Sequence, residues 1–304
     1  MIFNFQHLVF CSLLLCSSHL SAQNSSTQKI EINFEPVISG QVFECGKSYS
    51  PVGLNKSTVT PSDWRMYVSD IRLVDQQGRS VPVQLVQDKI WQFKNLVLLD
   101  FENGKGPCRN GTPATNSSIR GTVPKGVYSG IRFQIGIPFE LNHGDPTIAP
   151  SPLNSTAMFW NWQSGYKFIK FDTTAKALQN SIQHQSHQEA AHQEHLPQAV
   201  FAFHLGSTQC IGNSKTTAPT SCQNPNRVEV ELLGKNPLKS TLKMDMSKVL
   251  EQVAVERNAP NTPPGCMSSA GDSDCAPIMS SLGLSYDGVA ASSISPQQML
   301  VSWK

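Results

Sequence analysis

A period of two constrains this chain more than any other feature. Val127, Ile131, Phe133, Ile135 and Ile137 alternate with Tyr128, Arg132 and Gln134, the signature of a sheet strand with one buried and one wet face. Ile30, Ile32 and Phe34 repeat the pattern against Glu31, Asn33 and Glu35, and Val228, Val230 and Leu232 repeat it against Glu229 and Glu231. Tyr67, Ile71 and Leu73, the turn Gln76-Gln77-Gly78, then Val81, Val83 and Leu85 predict a hairpin. A further apolar run, Trp91 to Phe101, stops at Asn103-Gly104-Lys105-Gly106-Pro107. Helix is confined to two short candidates. Asp245 or Ser247 can cap one carrying Val249, Leu250 and Val253, and Pro277 to Leu282 can form another ending at Gly283. Only 15% of residues are charged, while 20 Gly and 20 Pro supply turns, so short strands and long loops are expected. No repeat of fixed period suggests a propeller or solenoid. These features predict an all-β fold, a β-sandwich or partly closed barrel with short helical additions, as one domain over residues 23–304.

The first 22 residues lack charged side chains, and the apolar run Leu8 to Leu15 ends in Ser-Ser-His-Leu-Ser-Ala. That predicts a signal peptide over 1–22, cleaved after Ala22, and an exported periplasmic or cell-surface protein. Cys11 and Cys16 lack the preceding small residues of a lipid-anchoring site, and no later segment is apolar enough for a membrane span. A formal net charge of +2 without a block of Lys or Arg provides no footprint for nucleic acid or an acidic membrane surface. Six cysteines remain after the signal: Cys45, Cys108, Cys210, Cys222, Cys266 and Cys275. In an exported chain they predict disulfides. Nearest-neighbour pairing joins Cys210 to Cys222 and Cys266 to Cys275, each closing a turn-rich loop worth about 3 kcal/mol, and leaves Cys45 with Cys108. Without a Cys-x-x-Cys pair, structural zinc is disfavoured.

The catalytic signatures sought are missing: no Gly-x-Ser-x-Gly elbow, no phosphate loop, no His-Glu-x-x-His. Asp63, Asp70, Asp100 and Asp172 sit at expected strand ends or turns, where Asp is common. No enzyme is predicted. Attention falls instead on residues 158 to 172, where Trp160 and Trp162 share a face if extended, Gly165 bends the chain, and Tyr166 to Phe171 form an aromatic strand. Such a segment is core in the plainer reading. Its company argues for more: His143 lies in the turn-rich approach loop, and His204 lies beside Ala202 on the strand face opposite Phe201, Phe203 and Leu205. Two imidazoles in an apolar, aromatic niche with Met158 alongside suit copper, and the soft surroundings favour Cu(I).

The insertion at 176–197 is rich in His and Gln, with His184, His187, His192 and His195 in His-x-x-His pairs. On a helix each pair lies one turn apart, giving a secondary metal candidate. The alternative is a solvated insertion between two strands.

Several pieces in order resemble the MbnP-like family of exported copper-binding proteins. They are Tyr67-Val68-Ser69-Asp70-Ile71-Arg72-Leu73, Leu98-Leu99-Asp100-Phe101-Glu102, Leu141-Asn142-His143-Gly144-Asp145-Pro146, Ser151-Pro152-Leu153-Asn154, Met158 to Asp172, Phe203-His204-Leu205-Gly206-Ser207-Thr208 and Asp274-Cys275-Ala276-Pro277-Ile278-Met279. The resemblance implies copper held by histidines, here His143 and His204, for acquisition, storage or handover. It further implies that a tryptophan, Trp160 or Trp162 with Trp91 as outsider, is oxidised to kynurenine by a MauG-type di-haem partner and becomes a ligand. The rival reading is a non-catalytic cell-surface β-sandwich that binds carbohydrate or another protein through its aromatic rings. Exposed coplanar indoles at Trp160 and Trp162 would favour the rival, and indoles packed on the histidines would favour metal.

Overall fold

The computed structural model describes Met1 and residues 26–176, 199–212, 218–289 and 297–304. The expected signal peptide at 1–22 lies outside the described residues apart from Met1, and so do His184, His187, His192 and His195. Of the 176–197 insertion only Lys176 is described.

The architecture is mostly β, built from two main mixed sheets with short helices and no closed barrel. The larger sheet is organised on one long strand, Ser57–Asp75. Along it pair Tyr128–Ile135, Ile169–Lys176 and Leu96–Asp100, all antiparallel, and Ala199–Leu205 extends the sheet beyond Ile169–Lys176. The second sheet runs in the order Val301–Trp303, Leu242–Asp245, Thr27–Ile38, Ser118–Pro124, Gln84–Leu85. Alternation decides which faces meet. Ile30, Ile32 and Phe34 are buried from the strand Thr27–Ile38, and Phe34 meets Phe133 edge to face at 5.9 Å.

The period-two runs therefore became strands, with refinements at their ends. The predicted hairpin forms where Leu73 pairs with Val81, but Gln84 and Leu85 leave it to pair with Thr122 and Gly121 in the other sheet. Asp245 caps the helix Met246–Val249 by accepting from the Ser247 amide at 3.2 Å, and the other helix, Cys275–Ser281, starts two residues earlier than its apolar pattern indicates. All three expected disulfides form: Cys45–Cys108, Cys210–Cys222 and Cys266–Cys275. No helix among the described residues is long and apolar enough to cross a membrane.

One feature of the larger sheet departs from the simple sandwich pattern. The face opposite Trp64, Phe171 and Phe203 carries buried charge rather than a wet surface. Across four neighbouring strands, Asp100 pairs with Arg65, Arg65 with Lys170, and Lys170 with His204. Asp63 and Asp172 form the adjoining cross-strand pair. Asp63 is fully buried and accepts from both the Arg65 guanidinium and the Lys170 ammonium. Lys170 also reaches Asp172 at 3.1 Å. Desolvation is the larger influence on Asp100 and raises its carboxyl to about 7, against the lowering effect of Arg65. Burial likewise raises Glu102, whose fully buried Oε2 has no hydrogen-bond partner among the described residues.

The sign of the linkage follows. Between about pH 4 and pH 7 the unfolded Asp100 carboxyl has lost its proton while the folded one keeps it, so stability falls as pH rises through this window. Glu102 adds a slope of the same sign. Asp100→Asn is expected to flatten the pH dependence of chemical denaturation there by up to a few kcal/mol. An unchanged slope in the variant would remove Asp100 as its source.

Candidate metal centre

His204 sits on the strand Ala199–Leu205, on the charged face. Asp172 stands opposite Ala202 on the neighbouring strand, which places its carboxylate diagonal to His204 on the same face. The His204 Nε2–H donates to Asp172 Oδ1 at 2.7 Å. That bond fixes the tautomer and leaves the lone pair on Nδ1, which is buried and has no hydrogen-bond partner among the described residues. Burial lowers the imidazole pKa, with Lys167 and Lys170 acting the same way, against the raising effect of Asp172. Asp172 itself is pushed up by burial, but bonds and charges from His204 and Lys170 outweigh this and hold it at about 2. The pair is thus an oriented neutral imidazole against an ionised carboxylate, the arrangement that metal-binding histidines commonly use.

Trp160 neighbours the His204 imidazole. It belongs to a small hairpin of Phe159–Asn161 and Gly165–Tyr166, turned at Gly165 with φ of 73°. Two requirements hold glycine at 165, the left-handed backbone and the Asn142 carbonyl, which a Cβ would meet at 2.5 Å. The Trp160 ring is 6.3 Å from that of His204, tilted by 50°. It also covers Gly206, where an added Cβ would come within 2.4 Å of Trp160 Cζ3 and 2.9 Å of the Tyr166 carbonyl. Gly206→Ala is expected to displace the indole, costing about 1–3 kcal/mol by overpacking and shifting tryptophan emission. An unchanged spectrum would show that Trp160 is held elsewhere.

Only the second half of the aromatic stretch is core. Tyr166, Phe168 and Phe171 are fully buried, whereas Trp160 and Trp162 are half-buried. The two indoles part company because the strand ends at Asn161. Trp162 falls in the turn, with its ring against Phe159 at 6.5 Å. They therefore pack on different partners instead of forming a shared exposed platform.

His143 terminates the one-turn helix Phe139–Asn142 and is also buried. Its Nδ1–H donates to the Trp162 carbonyl at 3.1 Å, which leaves Nε2 as the acceptor nitrogen. Nε2 receives a 3.2 Å hydrogen bond from Asn142 Nδ2 and lies 3.6 Å from Cys222 Sγ. Burial lowers this imidazole's pKa too, only partly offset by the carbonyl bond. Among the described residues His143 and His204 share no hydrogen-bond partner. Each contacts one half of the Trp160–Trp162 hairpin, His204 through the Trp160 ring and His143 through the Trp162 backbone. Trp91 is remote from both in its contacts, with its carbonyl bonded to the Leu98 amide.

Two residues that order the site, Asp172 and Asn142, carry no signal of that role in the sequence. Asp172 appeared only as one of four isolated acids, although its cross-strand diagonal to His204 follows once the two strands are paired. In sequence Asn142 is only a neighbour of His143, yet its side chain accepts from the Tyr166 amide at 2.9 Å and donates to Ser207 at 3.3 Å. It ties the histidine loop to the tryptophan hairpin and to the strand exit after His204.

The buried, oriented imidazoles suit copper by the chemistry of the donor set, His204 more directly because its Nδ1 is unengaged. The family model described as MbnP matches residues 27–268. A solved structure, MbnP from Methylosinus trichosporium, is similar at a TM-score of 0.76 and 26% sequence identity, covering 91% of this chain and 98% of that one. None of the curated proteins matches. With most of its length matched in sequence and in fold, the chain belongs to the MbnP family.

Proposed function

We propose that this protein binds copper, as Cu(I), in an exported compartment, for acquisition, storage or handover and without turnover of its own. The observation that carries the reading is the buried Nδ1 of His204, unpartnered among the described residues, on an imidazole oriented by Asp172 and neighboured by the Trp160 ring. A buried lone pair with no donor is costly unless something occupies it. His143 supplies a second neutral imidazole across the same hairpin. Three disulfides are consistent with an oxidising compartment.

Trp160 is the tryptophan favoured for conversion to kynurenine. Intact indole offers only an N–H donor, whereas ring opening by oxidation and loss of the formyl group leaves an aromatic amine able to bind metal. A MauG-type di-haem protein is the partner proposed for that oxidation. Copper would supply a soft ion that joins these nitrogens. What the chain itself does is fix His204 through Asp172, exclude water by burial, and hold the Trp160 ring against Gly206.

The test is metal analysis with peptide mass spectrometry on protein purified from its native host. Bound copper and a ring-opened residue at 160, with Trp162 intact, are expected. Neither copper nor modification, in protein that also fails to take up added Cu(I), would overturn the reading.

A further inference from the structure

The side of His143 away from Trp162 faces sulfur. Its Nε2 and the Sγ atoms of Cys210 and Cys222 lie within 4.8 Å of one another. An ion bound at about 2.0–2.3 Å keeps its ligand atoms roughly 3.3–4.6 Å apart; the bonded sulfurs are closer than that, and once the S–S bond breaks, rotation about the two Cα–Cβ bonds can spread them around an ion beside Nε2. In the disulfide the sulfurs are bonded to each other and are poor ligands. As free thiols they would be soft donors beside an imidazole that is held neutral.

We propose that reduction of the Cys210–Cys222 disulfide opens a second metal site, in which Cys210, Cys222 and His143 bind one Cu(I) ion. It lies beyond the histidine and tryptophan site proposed above, with His143 as the residue the two have in common. Three observations support it. First, the cysteines are directly opposite each other on the paired strands Thr208–Ile211 and Ser221–Asn224. That hairpin is held by bonds besides the disulfide: Gln163 donates to the Cys210 carbonyl at 3.3 Å, and Asn224 and Asn226 both donate to Thr208 Oγ1. The thiols therefore stay adjacent after the S–S bond breaks. Second, Cys210 and Cys222 are only half-buried as residues, and Cys210 lines a cleft of about 390 Å³ together with Trp160, Ser207 and Met267, so a reductant can approach this hairpin. By contrast, Cys108, Cys266 and Cys275 are fully buried. Third, no fourth His, Cys, Asp or Glu donor among the described residues joins the group. Two thiolates and one imidazole complete a trigonal set for Cu(I), whereas structural zinc takes four ligands.

The chemistry balances with a dithiol reductant. Two electrons and two protons pass from the dithiol to Cys210 and Cys222, the S–S bond breaks, and the dithiol closes its own disulfide. Each cysteine then releases its proton to solvent as it takes up Cu(I). His143 Nε2 exchanges the weak bond from Asn142 for the ion, while Asn142 keeps its bond to Ser207.

The experiment uses the full chain carrying His204→Ala, which removes the ligand on which the first site most depends and leaves this one complete. The protein is treated with a dithiol and desalted without oxygen, and opening at 210 and 222 is verified by alkylation and peptide mapping. Cu(I) uptake is then measured against a chromogenic chelator, and X-ray absorption reads the ligands. Reduced protein is expected to bind one more ion than oxidised protein, with copper–sulfur scattering. A parallel His204→Ala chain with Cys210→Ser and Cys222→Ser, reduced identically, should lack that ion, which subtracts any contribution from other cysteines. Adding His143→Ala should weaken the new site at least tenfold. No difference between the reduced cysteine and serine proteins would overturn the proposal, and so would a site indifferent to His143. Neither result would touch the copper site of the oxidised protein, which is read separately.

Discussion

His204→Ala is expected to lower the Cu(I) affinity of the disulfide-intact protein at least about a hundredfold, with the fold preserved. The magnitude follows from the role. Outer partners of metal-binding histidines typically contribute 10- to 100-fold, and a ligand that supplies a buried, unengaged lone pair should exceed them. Asp172→Asn gives the graded comparison. It retains an oxygen acceptor but removes the charge that holds Nε2–H, so a loss of about 10- to 100-fold is expected. His143→Ala should cost less than His204→Ala, because Nε2 of His143 already accepts from Asn142 and must give up that bond to take an ion. The double variant should bring affinity to background. Competition against a Cu(I) chelator measures all four, and circular dichroism reports whether each still folds. A double variant that folds and binds Cu(I) unchanged would remove both histidines from the site.

How much of this was legible in the sequence depended on range. Ile30 to Phe34 and Val127 to Ile137 declare their strands because alternation is a local property, and the whole β-rich reading rests on runs of that kind. The disulfide pairs were legible for a similar reason, since two of the three close short loops. Burial of the second face of the larger sheet was not. Asp63, Arg65, Lys170 and Asp172 look like the polar half of an ordinary alternating strand, and only the pairing of distant strands shows that they neutralise one another. The site divides along the same line. His204 and Trp160 stood out by residue type, and their contact is real. The expectation that Trp160 and Trp162 share a face failed because the strand ends one residue before Trp162, which a turn at Gly165 three residues later did not reveal. The proximity of His143 to Cys222 links positions 79 residues apart, and no spacing rule reaches that far.

Asp63→Asn is expected to be the most destabilising single substitution in the charged layer, by about 3–5 kcal/mol. Asp63 has no exposed surface, and the cations it binds, Arg65 and Lys170, are almost as deeply buried. Removing its charge leaves two desolvated cations with less than their matching negative charge, and an amide can accept from them but cannot neutralise them. Folded domains hold only about 5–15 kcal/mol in total, so the variant should lose a large share of its margin. For a domain of this size the loss corresponds to a fall in Tm on the order of 10 °C. Lys170→Met introduced together with Asp63→Asn should recover part of it, because the double variant no longer strands the ammonium. That recovery, measured as a coupling in a double-mutant cycle, separates charge balance from simple loss of packing. The layer also bears on the metal site, since Lys170 connects Asp63 to Asp172 and Asp172 holds His204. A stability loss below about 1 kcal/mol, or additive effects of the two substitutions, would mean that water or other polar groups compensate these cations. The orientation of His204 would then owe nothing to Asp63.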